Sequence, residues 1–568
     1  MRCGAGKGKA NNVPIKRPVL LKRLLEKAHT RIVAGARRSP ASADPAHSAG
    51  TLHGPSMDRP EAIGFLTRAG VFLVVFCFLF WFYGNRLWFT LDEGIFVDGA
   101  RKMLQGHKLY SDFFGYTSPC SYWLVELPLW LFGLTLRSAR VILYVEFSLQ
   151  CTLVLWITSR LASRAAAWIA TFLFFAFQLT QPGLLIPYHW WDGVTFALAS
   201  IAACLAGGRF GQRRWFLAGG ALASAAALCT PTVGLIALVS LAWILFDSKR
   251  RRFVGWYALG CAAVAGLVLG YMMEAGLLSG FLEQMRWMRA NYSGINTASY
   301  GTLTGGYQGA FDGTSGIGLL FRLLMVIVIA LPAILPVAGI AGYLTGVILG
   351  KRMPKPAGSI AGLGYLTVCL LAFVASTYPR LNIGHLAFVA PLGYIVTAAV
   401  LDRLSPRTGW VLAMSFAPLA CASLALSIRP AFDVQLVPSP VGTLSVSRTD
   451  APAVRQLLET VRPGDRLFVY PYMPLLYFLT QSENPARFPY MQPGLMTQGD
   501  ELTVLGDLER HPPRWILYLP MSRERYLDIF PPAARMDTHF RKLEAWIERN
   551  YTAADPAVVL SGYRLLAR

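Results

Sequence analysis

The stretch from Val71 to Leu124 reads VFLVVFCFLFWFYGNRLWFTLDEGIFVDGARKMLQGHKLYSDFFGYTSPCSYWL, and it decides the fold. Its first part belongs to an apolar run, residues 69–90, that is long enough to cross a lipid bilayer as a helix, since about 20 apolar residues span the hydrocarbon core. The acids Asp92 and Glu93 follow at once. The stretch therefore predicts a transmembrane helix that ends in two carboxyl groups at the membrane surface.

Composition extends this prediction to the whole chain. The 568 residues are 54% hydrophobic and only 15% charged, which is too apolar for a soluble protein of this length. A disordered chain and a nucleic-acid-binding array are excluded, although the formal net charge is +22. The nine cysteines lie mostly in apolar runs, without the spacing of a zinc site or a disulfide framework. The sequence thus indicates a polytopic α-helical membrane protein, and we expect no metal and no cofactor.

Eleven apolar segments are candidate transmembrane helices. They are residues 69–90, 141–158, 165–182, 190–207, 215–230, 232–246, 253–274, 317–349, 359–376, 386–402 and 409–428. Pro332 and Pro336 predict a break in the over-long eighth segment. Residues 121–133 are too short for a crossing and contain Pro128, so we expect an interfacial or re-entrant helix there.

Basic clusters predict the orientation of these helices. They fall on alternate loops, on the same side as the basic N-terminus, and that side is cytoplasmic by the positive-inside rule. Residues 1–67 are then a disordered cytoplasmic tail without a signal peptide, unless translation begins at Met57. We expect a transmembrane domain at 68–428 and an α/β domain at 429–568 on the outer side of the membrane.

The first outer loop, residues 91–140, is the richest in groups that carry chemistry. A carboxylate fixed at the end of a rigid helix is suited to deprotonate a hydroxyl group at the membrane surface. Asp92 is the candidate for this role, and the alternative is that it only caps the next helix. Cations follow on the same loop at Arg101, Lys102 and Lys108.

The segment from DEG at residue 92 to SYWL at 124 resembles the first outer loop of GT-C-fold glycosyltransferases, the group of protein O-mannosyltransferases and aminoarabinose transferases. The shared features are the acid pair after the first span, the pattern AR..L.G..LY.D and a proline-containing helix against the membrane. Residues 378–391 (YPRLNIGHLAFVAP) and 464–490 are similar to later outer segments of bacterial members. Asn382 stands where an acid is expected.

The resemblance implies an enzyme of the bacterial inner membrane that transfers a sugar, with inversion, from a polyprenyl-phosphate donor to an acceptor hydroxyl on the periplasmic face. The acceptor is a lipid, a glycan or a protein. Membrane lipid is a further expected partner, whereas nucleic acid is not. The resemblance assigns Asp92 as the catalytic base, Glu93 and Asp192 as acids that shape the site, and Arg380 and His385 as ligands of the donor phosphate, a role for which Arg101, Lys102 and Lys108 compete. Asp192 has the alternative of a helix cap, and His385 that of satisfying local hydrogen bonds.

Two other classes of function fit a polytopic chain. A transporter or lipid-sugar flippase also needs many spans, but the sequence has no internal repeat, few charges within the spans and a large domain outside the membrane. An inactive scaffold relative is the other alternative. The polar loop at residues 283–316 either covers an acceptor site or is a disordered connection.

Overall fold

In the computed structural model, the described residues are 64–90, 92–180, 182–292, 297–303, 315–348, 360–492, 495–520, 522, 540–555 and 557–568. Residues 1–63 of the expected cytoplasmic tail lie outside the described residues. The loop at 283–316 is described only in part, at 283–292, 297–303 and 315–316.

Each of the eleven apolar segments contains a helix. These helices are α1 (Phe65–Tyr83), α5 (Val141–Leu161), α6 (Arg164–Gln178), α7 (His189–Phe210), α8 (Arg213–Cys229), α9 (Leu235–Leu245), α11 (Val254–Glu274), α13 (Gly316–Ile348), α14 (Ile360–Ser376), α15 (Ile383–Leu404) and α16 (Pro406–Ile428). Seven helical segments in the described ranges are long and apolar enough to cross a membrane, and three shorter apolar helices accompany them. The chain is an integral membrane protein. The count of eleven crossings stays a prediction.

The expected break in the eighth segment is wrong, because α13 is one continuous helix of 33 residues with Pro332 and Pro336 inside it. Neighbouring side chains donate to its carbonyl groups beside the prolines. The hydroxyl group of Tyr300 donates to the carbonyl oxygen of Ala333 at 2.7 Å, and that of Thr397 donates to Leu335 at 2.9 Å. A proline removes the bond to the carbonyl group four residues earlier, here those of Val328 and Pro332, so these donors support the helix beside the freed groups and not at them.

Small residues let the central helices pack closely. A Cβ atom on Gly220 of α8 would overlap the carbonyl oxygen of Tyr257 on α11, and one on Gly260 of α11 would overlap that of Leu217. Helix α8 packs on α7 on its other side. Close backbone approach of this kind is a main source of helix association in lipid, where the hydrophobic effect does not act between helices.

The first outer loop forms three helices, α2 (Glu93–Leu104), α3 (Pro119–Phe132) and α4 (Leu136–Ala139). Helix α3 has 14 residues and continues through Pro128. At 1.5 Å per residue its length is about 21 Å, which is less than the thickness of the hydrocarbon core. Later short helices are α10 (Ser248–Arg251) and α12 (Leu278–Asn291).

The C-terminal region contains a five-stranded sheet built from β3 (Leu467–Tyr470), β4 (Trp515–Tyr518), β5 (Thr552–Ala553), β6 (Val559–Leu560) and β7 (Tyr563–Ala567). Strands β3 and β4 are parallel, whereas β7 is antiparallel to β4, β5 and β6. A separate hairpin joins β1 (Val434–Val437) to β2 (Leu444–Ser447), and the helices are α17 (Ala451–Thr460), α18 (Leu475–Thr480), α19 (Gln498–Arg510) and α20 (Arg541–Asn550). The fold is therefore a helical membrane part with a small α/β region at its C-terminal end.

This α/β region and the first outer loop share one hydrophobic core. Gly94 of α2 lies so close to α18 that a Cβ atom would overlap the backbone nitrogen of Leu475. The amide of Phe114 donates to the carbonyl oxygen of Arg487 at 3.0 Å, and the Arg487 guanidinium donates to the carbonyl oxygen of Tyr110 at 2.8 Å. The first outer loop is thus held between the membrane helices and the C-terminal region.

Candidate functional site

Asp92 stands at the junction between the membrane part and the first outer loop. It occupies the N-cap position of α2, but its side chain makes no capping hydrogen bond. Its side chain is half-buried and interacts electrostatically with the positive charge of Arg380. Since the capping alternative fails, the carboxyl group is free to contact a substrate.

Four buried or half-buried tyrosines surround this carboxyl group. They are Tyr116 from the first outer loop, Tyr188 before α7, Tyr292 after α12 and Tyr490 from the C-terminal region. Tyr188 contacts Tyr116, and Tyr292 contacts the side chain of Arg380. Four segments far apart in the sequence therefore converge on Asp92.

Burial sets the protonation of this cluster. It raises the pKa of Asp92 above its usual value, and the positive charge of Arg380 partly offsets that rise. Burial, reinforced by the negative charge of Asp92, raises the pKa of Tyr116 and Tyr490 well above the usual value, so both hydroxyl groups stay neutral and can donate hydrogen bonds. A carboxyl group with a raised pKa is a stronger base once it is ionised.

A cavity of about 210 Å³ lies beside this cluster. Its wall is mixed, with hydroxyl, imidazole, guanidinium and thioether groups from five segments. The lining residues are Tyr116, Thr117, Ser118, His189, Trp190, Cys229, Thr230, Pro231, Thr232, Met285, Met288, Tyr292, Thr377, Tyr378, Pro379, Arg380 and His385. A concave site with a few converging polar groups is the usual form of a ligand-binding site.

Backbone pairing positions Arg380 in this wall. The amide of Ala298 donates to the carbonyl oxygen of Pro379 at 3.0 Å, and the amide of Leu381 donates back to Ala298 at 3.1 Å. The amide of Gly301 extends the pairing to Leu381 at 2.9 Å. The described part of the long polar loop, residues 297–303, therefore braces the segment that carries Arg380.

His385 lies in the same cavity, in the first turn of α15. Asn382 caps this helix, since its Oδ1 accepts a hydrogen bond from the His385 amide at 3.1 Å. The same oxygen lies 2.8 Å from Nδ1 of the His385 ring, which packs edge-on against Trp190. Asn382 thus performs the capping that an acid would perform, and it does so without placing a negative charge near Arg380.

Glu93 lies outside this cavity and is fully buried. Arg140 donates to it from Nε at 2.5 Å and from Nη2 at 2.7 Å, and both side chains are 0% exposed. Arg140 also donates to the carbonyl oxygens of Tyr83 and Arg86. The Glu93–Arg140 pair therefore fastens the start of α2 to the end of α1, although Glu93 is adjacent in sequence to Asp92.

Asp192 also lies outside the cavity wall, in the first turn of α7. It is buried beside the carboxyl group of Glu146 on α5 and beside Ser121 on α3. His189 and Trp190, less than one turn earlier on α7, line the cavity. Asp192 thus lies behind the cavity wall, where it links three helices.

The cations of the first outer loop are committed elsewhere or exposed. Arg101 donates to Asp98 at 2.8 Å and to the carbonyl oxygen of Ser482 at 2.8 Å, so it binds α2 to the C-terminal region. Lys102 lies 3.6 Å from Asp98, and burial lowers its pKa. Lys108 lies on the exposed surface of the loop. None of the three lines the cavity, whereas Arg380 does.

Sequence reasoning did not select Tyr116, Tyr292, Tyr490 or His189. His189 is held by Thr230, whose hydroxyl group donates to the backbone carbonyl oxygen of His189 at 2.6 Å. Tyrosine near a membrane usually serves as an interfacial anchor, and that common role concealed the three tyrosines. Within the described residues, no cluster of three or more His, Cys, Asp or Glu side chains could hold a metal ion.

Comparisons with known proteins concern the fold. No protein-family model matches the chain, and no curated protein matches it by sequence. The crystal structure of ArnT from Cupriavidus metallidurans bound to undecaprenyl phosphate is similar, with 15% identity, a TM-score of 0.52, and coverage of 88% of this chain and 97% of ArnT. The apo form of ArnT gives 14% identity, a TM-score of 0.51, and coverage of 88% and 98%. The chain therefore shares the fold of ArnT, and its structural neighbours are GT-C-fold glycosyltransferases.

Proposed function

We propose that the protein is a membrane glycosyltransferase that moves a sugar from a polyprenyl phosphate to an acceptor hydroxyl on the periplasmic face of the bacterial inner membrane. The observation that carries the proposal is the convergence of Asp92 and Arg380, an uncapped carboxyl group beside the one described guanidinium that lines the cavity. The ArnT fold supports it, because that enzyme was crystallised with undecaprenyl phosphate.

The proposed reaction is a single displacement. The acceptor hydroxyl attacks the anomeric carbon of the donor sugar, and Asp92 takes its proton as the new C–O bond forms. The bond from the anomeric carbon to the phosphate oxygen breaks on the opposite face, and the lipid phosphate leaves with the electron pair. In-line attack inverts the configuration at that carbon, and neither an oxidant nor a nucleotide enters the balance.

Arg380 and His385 are the proposed ligands of the lipid phosphate. A guanidinium group suits a phosphate because its planar donors can contact two oxygens at once. The positive charge of Arg380 also lowers the pKa of Asp92, so the same guanidinium group interacts with both the base and the departing phosphate. As negative charge grows on the phosphate, Arg380 stabilises it, which lowers the barrier where charge develops.

The tyrosines have a separate proposed role. Their neutral hydroxyl groups surround Asp92, where they can donate hydrogen bonds to sugar or acceptor oxygens. Glu93, Asp192, Arg101 and Lys102 hold the walls in place. In this proposal they affect the reaction through folding and position, and Asp92 alone exchanges a proton with the acceptor.

Replacement of Asp92 tests the proposal. In right-side-out membrane vesicles and in purified protein supplied with radiolabelled polyprenyl-phosphate sugars, Asp92→Asn should reduce transfer at least about a hundredfold, the usual contribution of a general base. Asp433→Asn, which removes an exposed carboxylate paired with Arg448, is the matched control and should keep full activity. Undiminished transfer by Asp92→Asn would exclude the proposed base.

A further inference from the structure

A second cavity, of about 390 Å³, lies between α3, α8 and α11 and does not belong to the candidate site. Most of its wall is apolar, with Val264 and Leu267 of α11 and Leu124 and Leu127 of α3 among the residues that line it. Leu127 is 38% exposed and Leu267 is 64% exposed. In an integral membrane protein such exposed apolar side chains face lipid, so this cavity opens toward the bilayer.

One carboxyl group interrupts this apolar wall. Glu126 lies on α3, with Trp123 one turn before it and Trp130 one turn after it, and all three line the cavity. Side chains spaced by three and four residues share one face of a helix. Tyr271 of α11 closes the opposite side, where its ring packs edge-on to Trp123 with 5.1 Å between the ring centroids. The result is a carboxyl group among three aromatic rings.

Glu126 has no counter-charge in the described part of the chain. Burial alone acts on it, raising its pKa to about 7, and its side chain forms neither an ion pair nor a hydrogen bond with the residues that the structure describes. The indole Nε1 of Trp123 is a buried donor that also lacks a partner among the described residues. The cavity therefore offers an acceptor for a cation and a separate donor for an oxygen atom.

These features define the chemistry of an occupant. A cation is attracted both by a carboxylate and by the faces of aromatic rings. A headgroup with only negative charge would meet the Glu126 carboxylate in a medium of low dielectric constant, where like charges repel strongly. The aliphatic wall and the opening to the bilayer suit hydrocarbon chains. A zwitterionic lipid with an amine meets all these requirements, and its phosphodiester oxygen can accept from Trp123.

We propose that this cavity binds a phospholipid with a primary ammonium headgroup, with the ammonium group on Glu126 between Trp123, Trp130 and Tyr271 and the acyl chains along α11. The cavity shares Cys229 with the wall of the candidate site, so the bound lipid sits directly against that wall. This binding does not depend on the activity proposed above, and it is measured without any sugar donor.

Native mass spectrometry of the full-length, detergent-solubilised protein tests the proposal. The protein is titrated with dioleoylphosphatidylethanolamine or with dioleoylphosphatidylglycerol, and the fraction carrying one lipid is compared. The wild type should bind the ethanolamine lipid about tenfold more tightly, a ratio that one cation contact with a carboxylate and aromatic rings can supply. Glu126→Gln should bring the two affinities within about twofold of each other.

Two further variants make the test decisive. Glu283→Gln removes the same charge from an exposed position on α12 and should keep the tenfold preference. Tyr271→Leu removes the aromatic wall on a different helix and should weaken the preference even if Glu126→Gln does not fold. Equal binding of the two lipids by the wild type, or an unchanged preference in Glu126→Gln, would overturn the proposal.

Discussion

Glu93 and Asp92 are adjacent acids for which the structure predicts opposite phenotypes. Replacing Glu93 with Gln preserves the shape of the side chain but leaves the Arg140 guanidinium buried without a negative partner. Both side chains are 0% exposed and share contacts of 2.5 and 2.7 Å. Breaking a buried pair by removing one partner costs about 3–5 kcal/mol. Because Arg140 keeps its bonds to the carbonyl oxygens of Tyr83 and Arg86, we expect the lower end, about 3 kcal/mol.

The assay is reversible unfolding in mixed micelles, with the free energy of unfolding measured for Glu93→Gln, Arg140→Met and the double variant. The double variant should be less unstable than the sum of the two single variants, because it leaves no buried charge unpaired. Asp92→Asn should change the free energy of unfolding by less than about 1 kcal/mol, since the Asp92 side chain makes no capping bond.

Activity measured on the same preparations separates the two acids. At a temperature where Glu93→Gln remains folded, its transfer rate should approach that of the wild type, whereas Asp92→Asn should lose at least about a hundredfold in rate although it is fully folded. The reasoning is refuted if Glu93→Gln is as stable as the wild type and yet inactive, because Glu93 would then act in the chemistry. It is also refuted if the two single variants destabilise the protein additively.

Three other predictions concern the site and its support. Arg380→Met removes a positive charge and should therefore raise the pKa of Asp92 further. Because a protonated base is inactive, the acid limb of the pH–rate profile should move to higher pH. Arg380→Lys keeps the charge and should leave that limb in place. Asn382→Ala should lower the free energy of unfolding by about 1 kcal/mol through loss of the cap on α15, measured by the same unfolding assay, and Asn382→Asp should retain it. Gly94→Ala should separate α2 from α18 because its Cβ would overlap Leu475, which protease digestion would detect as faster release of the C-terminal region.

The helical framework could be predicted from the sequence because a membrane helix needs only its own apolar run. Each of the eleven segments contains a helix for this reason. The break at Pro332 and Pro336 was wrong: α13 continues through both prolines and packs along α15, which is remote in sequence. The docking of α2 on α18 was equally out of reach, since it depends on a long-range contact at Gly94.

The candidate site was predicted in part. The resemblance assigned roles to Asp92 and Arg380, and the structure brings the two residues together beside one cavity, while the roles themselves stay predictions. Neighbouring acids cannot be told apart by sequence, because the partner of Glu93 lies 47 positions away at Arg140. Tyr490 could not have been chosen, since nothing in its local sequence indicates that the C-terminal region reaches Asp92.

The common core of the first outer loop and the C-terminal region has a consequence for biogenesis. The ribosome makes α2 long before α18, so the apolar face of α2 stays uncovered while the remaining helices are inserted. Chains that terminate near residue 428 would keep that face exposed, and we expect quality-control proteases to remove them. Completion of the last quarter of the chain therefore also completes the surroundings of Asp92.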